Sequence, residues 1–209
     1  MLGVDEAGRG PLAGPVSVGV VAVPEGFDVA QEFPGVADSK KLSEKKREKI
    51  FEMLETRAAL GDARFVVEFE SAETIDREGI VPAVRRALAR GVRTLAPLET
   101  SRRETTGAVS GASLTGLAPS AANTFVYLDG SLRAPSEYSQ ETIIHGDALI
   151  PIISLASIAA KVLRDRLMVE LAAQYPEYGF EKHKGYGTKA HYDILAKCGP
   201  CAIHRRSFL

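Results

Sequence analysis

The sequence predicts a mixed α/β sheet with helices on its faces and a C-terminal helical lobe. Three observations carry this. Short apolar segments of strand length recur at Met1–Val4, Val16–Val23, Phe65–Phe69, Phe125–Leu128 and Thr142–His145. Longer segments show apolar residues at helical spacing. The order is two neighbouring strands, a helix, a strand, helices, two strands and a long helix, which is the pattern of a sheet covered by helices.

Each element has its own local reason. Met1-Leu2-Gly3-Val4 is an apolar strand that runs into the paired acids Asp5 and Glu6 and then a glycine-rich bend, Gly8 to Gly14. Val16–Val23 is valine-rich with small residues between, as in a strand buried on both faces, and its closeness to the first strand suggests an antiparallel hairpin. Ser43 is an N-cap for a helix to about Leu60, with Ile50, Met53, Leu54 and Ala58 on one side and Gly61 closing it. Phe65, Val67 and Phe69 alternate with Val66, Glu68 and Glu70, as in a strand. Ser71 to Gly91 reads as helix in two pieces, broken around Gly79 and Pro82. The stretch 97–123, rich in Ser, Thr, Gly and Ala without periodicity, reads as a mobile surface insertion. Two more strands follow, Phe125–Leu128 before Asp129-Gly130 and Thr142–His145 before Gly146-Asp147. Ser154 to about Gln174 is a long helix with Ile158, Ala159, Val162, Leu163 and Leu171 inward and Lys161, Arg164 and Asp165 expected outward. A short helix from about Lys189 to Lys197 lies in a C-terminal part spanning about 175–209.

At 209 residues, one catalytic domain over 1–209 is expected. Hydrophobic content of 45% and charge of 25% are ordinary for a chain with a real core. No stretch approaches the roughly 18 apolar residues that span a bilayer, and the opening shows no signal-peptide pattern; a cytoplasmic, membrane-free protein is expected. The net charge of −1 hides two basic clusters, Lys40 to Lys49 and Lys182 to Arg206. Such patches, more than the total, decide contact with a polyanion.

The chemistry lies in the acids. Asp5, Glu6, Asp129 and Asp147 all stand at or just beyond strand ends, where ligands of open α/β sheets gather. Carboxylates without His or Cys select a hard, oxygen-loving ion, Mg²⁺ or Mn²⁺. Two such ions roughly 3.5–4 Å apart support in-line displacement at phosphorus. Adjacent strand residues point to opposite faces, so for Asp5 and Glu6 to share a site the strand is expected to end irregularly, through a bend or bulge at the glycines.

The stretch Gly3-Val4-Asp5-Glu6-Ala7-Gly8-Arg9-Gly10-Pro11-Leu12-Ala13-Gly14 closely resembles the opening signature of ribonuclease HII, the type 2 ribonuclease H family. The likeness continues through Asp38-Ser39-Lys40-Lys41-Leu42-Ser43, Leu128-Asp129-Gly130, Gly146-Asp147, Ala156-Ser157-Ile158, Ala160-Lys161-Val162, Arg164-Asp165, His183-Lys184-Gly185-Tyr186-Gly187-Thr188 and His204-Arg205-Arg206-Ser207-Phe208. These motifs span nearly the whole chain except 97–123. His145, where lysine is common, and Leu155, where a second alanine is usual, depart from the pattern. Aspartate as the fourth acid points away from the type 3 branch.

The resemblance implies a ribonuclease H-like fold, two bound Mg²⁺ or Mn²⁺ ions, and Asp5, Glu6, Asp129 and Asp147 as catalytic metal ligands. It implies that Gly8, Arg9 and Gly10 contact the ribose 2′-hydroxyl and neighbouring phosphate, that Tyr186 stacks on the next sugar, and that Lys40 lies near the substrate backbone. Ser157, Lys161, Arg164 and Lys184 are weaker candidates for that contact. The family cuts the RNA strand of RNA–DNA hybrids and nicks 5′ to ribonucleotides embedded in duplex DNA, leaving 5′-phosphate and 3′-hydroxyl ends, which implies a role in removing ribonucleotides from DNA. A monomer is expected. The competing expectation is a non-catalytic nucleic-acid-binding protein of the same fold.

Two other motifs carry less. Gly8-x-Gly10-x-x-Ala13 imitates a dinucleotide fingerprint, but Pro11 and the following valine run put a strand where that motif opens a helix. Cys198-Gly199-Pro200-Cys201 imitates a redox pair yet follows the end of a helix, and zinc through Cys198, Cys201 and His204 lacks a fourth ligand.

Overall fold

A computed structural model describes residues 1–98 and 121–209. Its centre is one five-stranded sheet: β1 (Leu2–Ala7), β2 (Val16–Ala22), β3 (Arg64–Glu70), β4 (Phe125–Asp129) and β5 (Ser139–Ile143), in the order β3-β2-β1-β4-β5. β1 and β2 form the expected antiparallel hairpin and β3 adds antiparallel to β2, whereas β4 runs parallel to β1 and β5 parallel to β4. The helices are α1 (Val29–Glu32), α2 (Glu44–Leu60), α3 (Ala72–Glu78), α4 (Ile80–Leu95), α5 (Gly146–Leu149), α6 (Pro151–Gln174), α7 (Phe180–His183) and α8 (Lys189–Cys198).

The sheet is sandwiched, which is why β2 is buried at every residue. Its even positions, Val16, Val18, Val20 and Ala22, join Leu2, Val4 and the apolar face of α4 in one core cluster. On the other face Val21 meets α2 and α6. Glycine lets α6 approach this face closely. A Cβ at Gly3 would stand 2.4 Å from the Ile152 carbonyl oxygen, and one at Gly19 would stand 2.2 Å from that of Ala156. A third cluster, Ala13, Met168, Ala172, Tyr178 and Phe180, lies under α7 and α8. The caps of α2 are those expected: the Ser43 side chain accepts from Lys46 N–H, and Gly61 closes the helix in the left-handed region at φ 85°.

Five expectations change. β1 does not break at its acids, because pairing with β2 stays regular through Asp5↔Gly19, Glu6↔Val18 and Ala7↔Ser17. β5 starts three residues earlier than expected, at Ser139. As an edge strand it is polar, and the apolar Ile144 that suggested a strand is 73% exposed. The long helix begins at Pro151, the residue type favoured in a first turn, and α4 runs past Gly91 to Leu95. Finally, Arg164 and Asp165 face inward and are buried, because α6 is covered on nearly all sides by the sheet, α2 and α7. Most of the insertion expected over 97–123 lies outside the described residues.

Candidate active site

β1 and β4 are parallel neighbours with Val4 opposite Leu128, so Asp5 and Asp129 emerge side by side toward the C-terminal ends of these two strands. Asp147 arrives from the first turn of α5, and its backbone N–H donates to Asp129 Oδ1 at 3.3 Å. The turn that delivers it is tight. His145 holds φ 58°, rare outside glycine, and a Cβ on Gly146 would lie 2.6 Å from Ile153 Cδ1. The Ser154 hydroxyl anchors the turn from α6 by donating to the Asp147 carbonyl at 2.7 Å. One carboxylate oxygen from each of Asp5, Asp129 and Asp147 lies within 4.8 Å of the others.

Three carboxylates this close repel one another. Burial pushes the Asp5 carboxyl well above the usual carboxylate range, Glu6 and Asp129 add to the rise, and a hydrogen bond from Ser157 opposes it. The Ser157 hydroxyl also meets that of Ser39 at 2.8 Å. Lys40 Nζ stands 3.3 Å from Asp147 Oδ2 while its side chain remains 78% exposed. Burial works against the Lys40 ammonium, but Asp147, Asp5 and Asp38 together outweigh it and raise its pKa.

Glu6 does not join the three aspartates. Regular alternation turns it to the α4 face, where Oε1 accepts from Arg9 Nη1 at 3.1 Å and Oε2 is buried with no hydrogen-bond partner among the described residues. An orphaned carboxylate oxygen, a charge-frustrated aspartate and an all-oxygen donor set fit a hard divalent cation.

Beside the acids, two loops meet. Leu12 and Ala13 N–H both donate to the Gly185 carbonyl, at 2.8 and 3.3 Å, tying the loop of Gly8, Arg9 and Gly10 to the turn that carries Tyr186. Around a Cβ built on Gly10 there is open space to 4 Å. Tyr186 is 39% exposed, with Lys161 Nζ 5.4 Å and Arg164 Cζ 5.7 Å from its ring centroid. Of the weaker candidates, Lys161 pairs with Asp165 at 2.7 Å, and Lys184 gives its carbonyl to Arg164. Next to Arg9 a cleft of about 60 Å³ is lined by Arg85, Ser131 and Arg133 over Val84 and Leu88.

Ribonuclease HII is the family whose model matches, over residues 2–102 and 120–209. This chain belongs to the ribonuclease HII family. It is 41% identical over 207 residues to the ribonuclease HII of Endomicrobium trichonymphae, covering 99% of this chain and 83% of that one. Among solved structures it is similar to the ribonuclease HII of Archaeoglobus fulgidus in the PCNA:RNase HII complex, with a TM-score of 0.71 at 23% identity over 99% and 92% of the two chains. The ribonuclease H2 of Pyrococcus horikoshii OT3 gives a TM-score of 0.66 at 25% identity over the same shares. As a member of the ribonuclease HII family the chain has the ribonuclease H-type fold and is a metal-dependent endoribonuclease, a hydrolase acting on RNA–DNA hybrids.

Sequence reasoning missed Arg205. Its guanidinium is fully buried and donates to three backbone carbonyls. The available signal was an arginine next to a histidine in the C-terminal tail. That tail is tied down: Arg206 N–H and both donors of Ser207 bind the Asp76 carboxylate. His204 is buried in the same tail and meets His191 Nε2 at 3.0 Å. Cys198 and Cys201 are free thiols, and burial pushes Cys201 up, the reverse of what a redox nucleophile needs.

Proposed function

We propose that Asp5, Asp129 and Asp147, joined by Glu6 once it turns from its Arg9 contact on the other face of β1, hold two divalent ions and hydrolyse the phosphodiester on the 5′ side of a ribonucleotide, leaving 5′-phosphate and 3′-hydroxyl ends. The supporting observation is the convergence of three aspartates from β1, β4 and α5 beside two hydrogen-bonded loops that carry Arg9, Gly10 and Tyr186. Bound there, Mg²⁺ or Mn²⁺ supplies Lewis acidity at the phosphoryl oxygens and a hydroxide nucleophile near neutral pH.

The chain's own groups do the rest. Gly8, Arg9 and Gly10 offer backbone groups to the 2′-hydroxyl, which alone separates RNA from DNA at a given sugar. Tyr186 stacks on the following sugar, and its exposed ring beside two cations suits that task. Lys40 holds a phosphate next to Asp147. Arg9, Arg85 and Arg133 accept a further backbone phosphate in their shared cleft without regard to sequence. Substrates are then both RNA–DNA hybrids and duplex DNA with embedded ribonucleotides, and the biological role is ribonucleotide removal by a monomer. Among the described residues no helix is long and apolar enough to cross a membrane.

Nicking by the wild-type chain of a duplex with one ribonucleotide and of its all-DNA counterpart tests this reading. Metal-dependent cutting of the first alone is expected, and Asp129→Asn should abolish it. Equal cutting of both duplexes, or binding without cutting under Mg²⁺ and Mn²⁺, would overturn the assignment and leave a DNA nuclease or a silent binder instead.

A further inference from the structure

Two guanidiniums lie fully buried behind the ribose-reading loop, and among the described residues neither forms an ion pair. Arg205 donates from Nη2 to the Gly8 carbonyl at 2.7 Å, from Nη1 to that of Arg9 at 2.9 Å and from Nε to that of Gly14 at 2.9 Å. Arg164 donates from Nε to Pro15 at 2.8 Å, from Nη2 to Ala13 at 3.2 Å and from Nη1 to Lys184 at 3.1 Å. Interior charges without a counter-ion are costly, and the hydrogen bonds they donate must offset that cost. Their shared feature is the set of atoms they hold: six backbone carbonyls, five from the bend after β1 and one from the turn carrying Tyr186.

A trans peptide is planar with its C=O and N–H on opposite sides. Drawing the Gly8 and Arg9 carbonyls inward therefore turns the Arg9 and Gly10 N–H groups outward. Neither N–H donates within the protein among the described residues, and both residues are exposed. Glycine at position 8 is required by the second guanidinium, since φ is 85° and a Cβ would stand 2.1 Å from Arg164 Nε. Arg164, bridging Ala13 and Lys184, also sets the distance between the two loops.

We propose that Arg164 and Arg205 are positioning residues for ribose recognition, a carbonyl clamp that presets the Arg9 and Gly10 N–H groups as donors and locks their loop to the Tyr186 turn. This rests on the reading of Gly8, Arg9 and Gly10 as the ribose reader. Lysine keeps the charge but loses the fork that reaches three carbonyls at once, so Arg205→Lys and Arg164→Lys isolate geometry from charge.

Steady-state nicking of a singly ribo-substituted duplex and metal-free anisotropy binding of the all-DNA duplex test the clamp. In both variants kcat should fall by about a hundredfold, the scale of a small misplacement of a reacting group, with KM and all-DNA affinity unchanged. Wild-type kcat in both variants, or a loss of kcat matched by a loss of all-DNA affinity, overturns the clamp. Should Arg205→Lys fail to fold, Gly8→Ala, whose Cβ would collide with the Arg164 guanidinium, displaces the loop from the clamp and must show the same kcat-selective loss; wild-type kcat there refutes it. A wild-type chain that cuts both duplexes equally refutes the ribose reader itself and the clamp with it, whereas one that discriminates keeps the two questions separate.

Discussion

Asp129→Asn should make the metal-free protein more stable. Two unit charges 4.8 Å apart, the outer limit for the three aspartate oxygens, repel by about 3.5 kcal/mol at an effective dielectric of 20. Asp129 faces two such partners. Solvent at the half-buried Asp129 screens part of this, and Lys40 offsets part of the Asp147 charge. About 2 kcal/mol remains to be released when Asp129 loses its charge. The substitution forfeits little in exchange, because Asn Oδ1 can still accept from Asp147 N–H. For a chain of this length 2 kcal/mol corresponds to a Tm increase of roughly 4–8 °C. Melts in EDTA should show that increase. Added Mg²⁺ or Mn²⁺ should raise the wild type by mass action and move the variant little. A variant that melts below wild type in EDTA, or that gains as much from metal, would refute the picture of three mutually repelling carboxylates awaiting a cation.

Gly19→Ala should cost about 3 kcal/mol, the upper range for an overpacked core, because the new Cβ meets a backbone oxygen of α6; denaturant titration measures it, and the shift of Ser157 away from Asp5 should lower activity as well. His204 is held down to about 4, first by burial and then by His191. Since the folded value lies below the free one of 6.5, its contribution is complete above about pH 6.5 and is lost as pH falls toward 4, about 3 kcal/mol in all; His204→Gln should flatten the acid limb of denaturation curves taken between those values. Metal binding should release a proton from Asp5, so calorimetric affinity for Mn²⁺ should rise with pH. Arg85→Ala should weaken duplex binding uniformly across sequences and reduce the slope of log K against log salt by roughly 1.

The legible parts of the chain were those governed by local rules. Ser43 and Gly61 bracket α2 because capping and left-handed closure are written in single residues. The hairpin of β1 and β2 follows from two apolar runs joined by a short bend. Asp5, Asp129 and Asp147 were recognisable as strand-end acids, and the sheet order brings them together. Tertiary context hid the rest. β5 is polar because it is an edge strand, so hydrophobicity pointed three residues too late. Arg164 and Asp165 looked solvent-facing because helical periodicity assumes one open face, which α6 lacks. Glu6 showed that alternation is to be taken literally: the strand stays regular, and the second acid turns to the other face toward Arg9. The partners of Arg205 are carbonyl oxygens that every residue carries, so its task left no trace in composition.

The placement of the acids on the topology also bears on how the molecule assembles. β1, β2 and β3 pair with sequence neighbours, whereas β1 meets β4 only after the intervening chain has closed a long loop, a step that is slow relative to hairpin formation. Asp5 and Glu6 belong to the early half, and Asp129 and Asp147 to the late half. Neither half holds all of the acids proposed as metal ligands, so the proposed site comes together only when the seam between β1 and β4 zips.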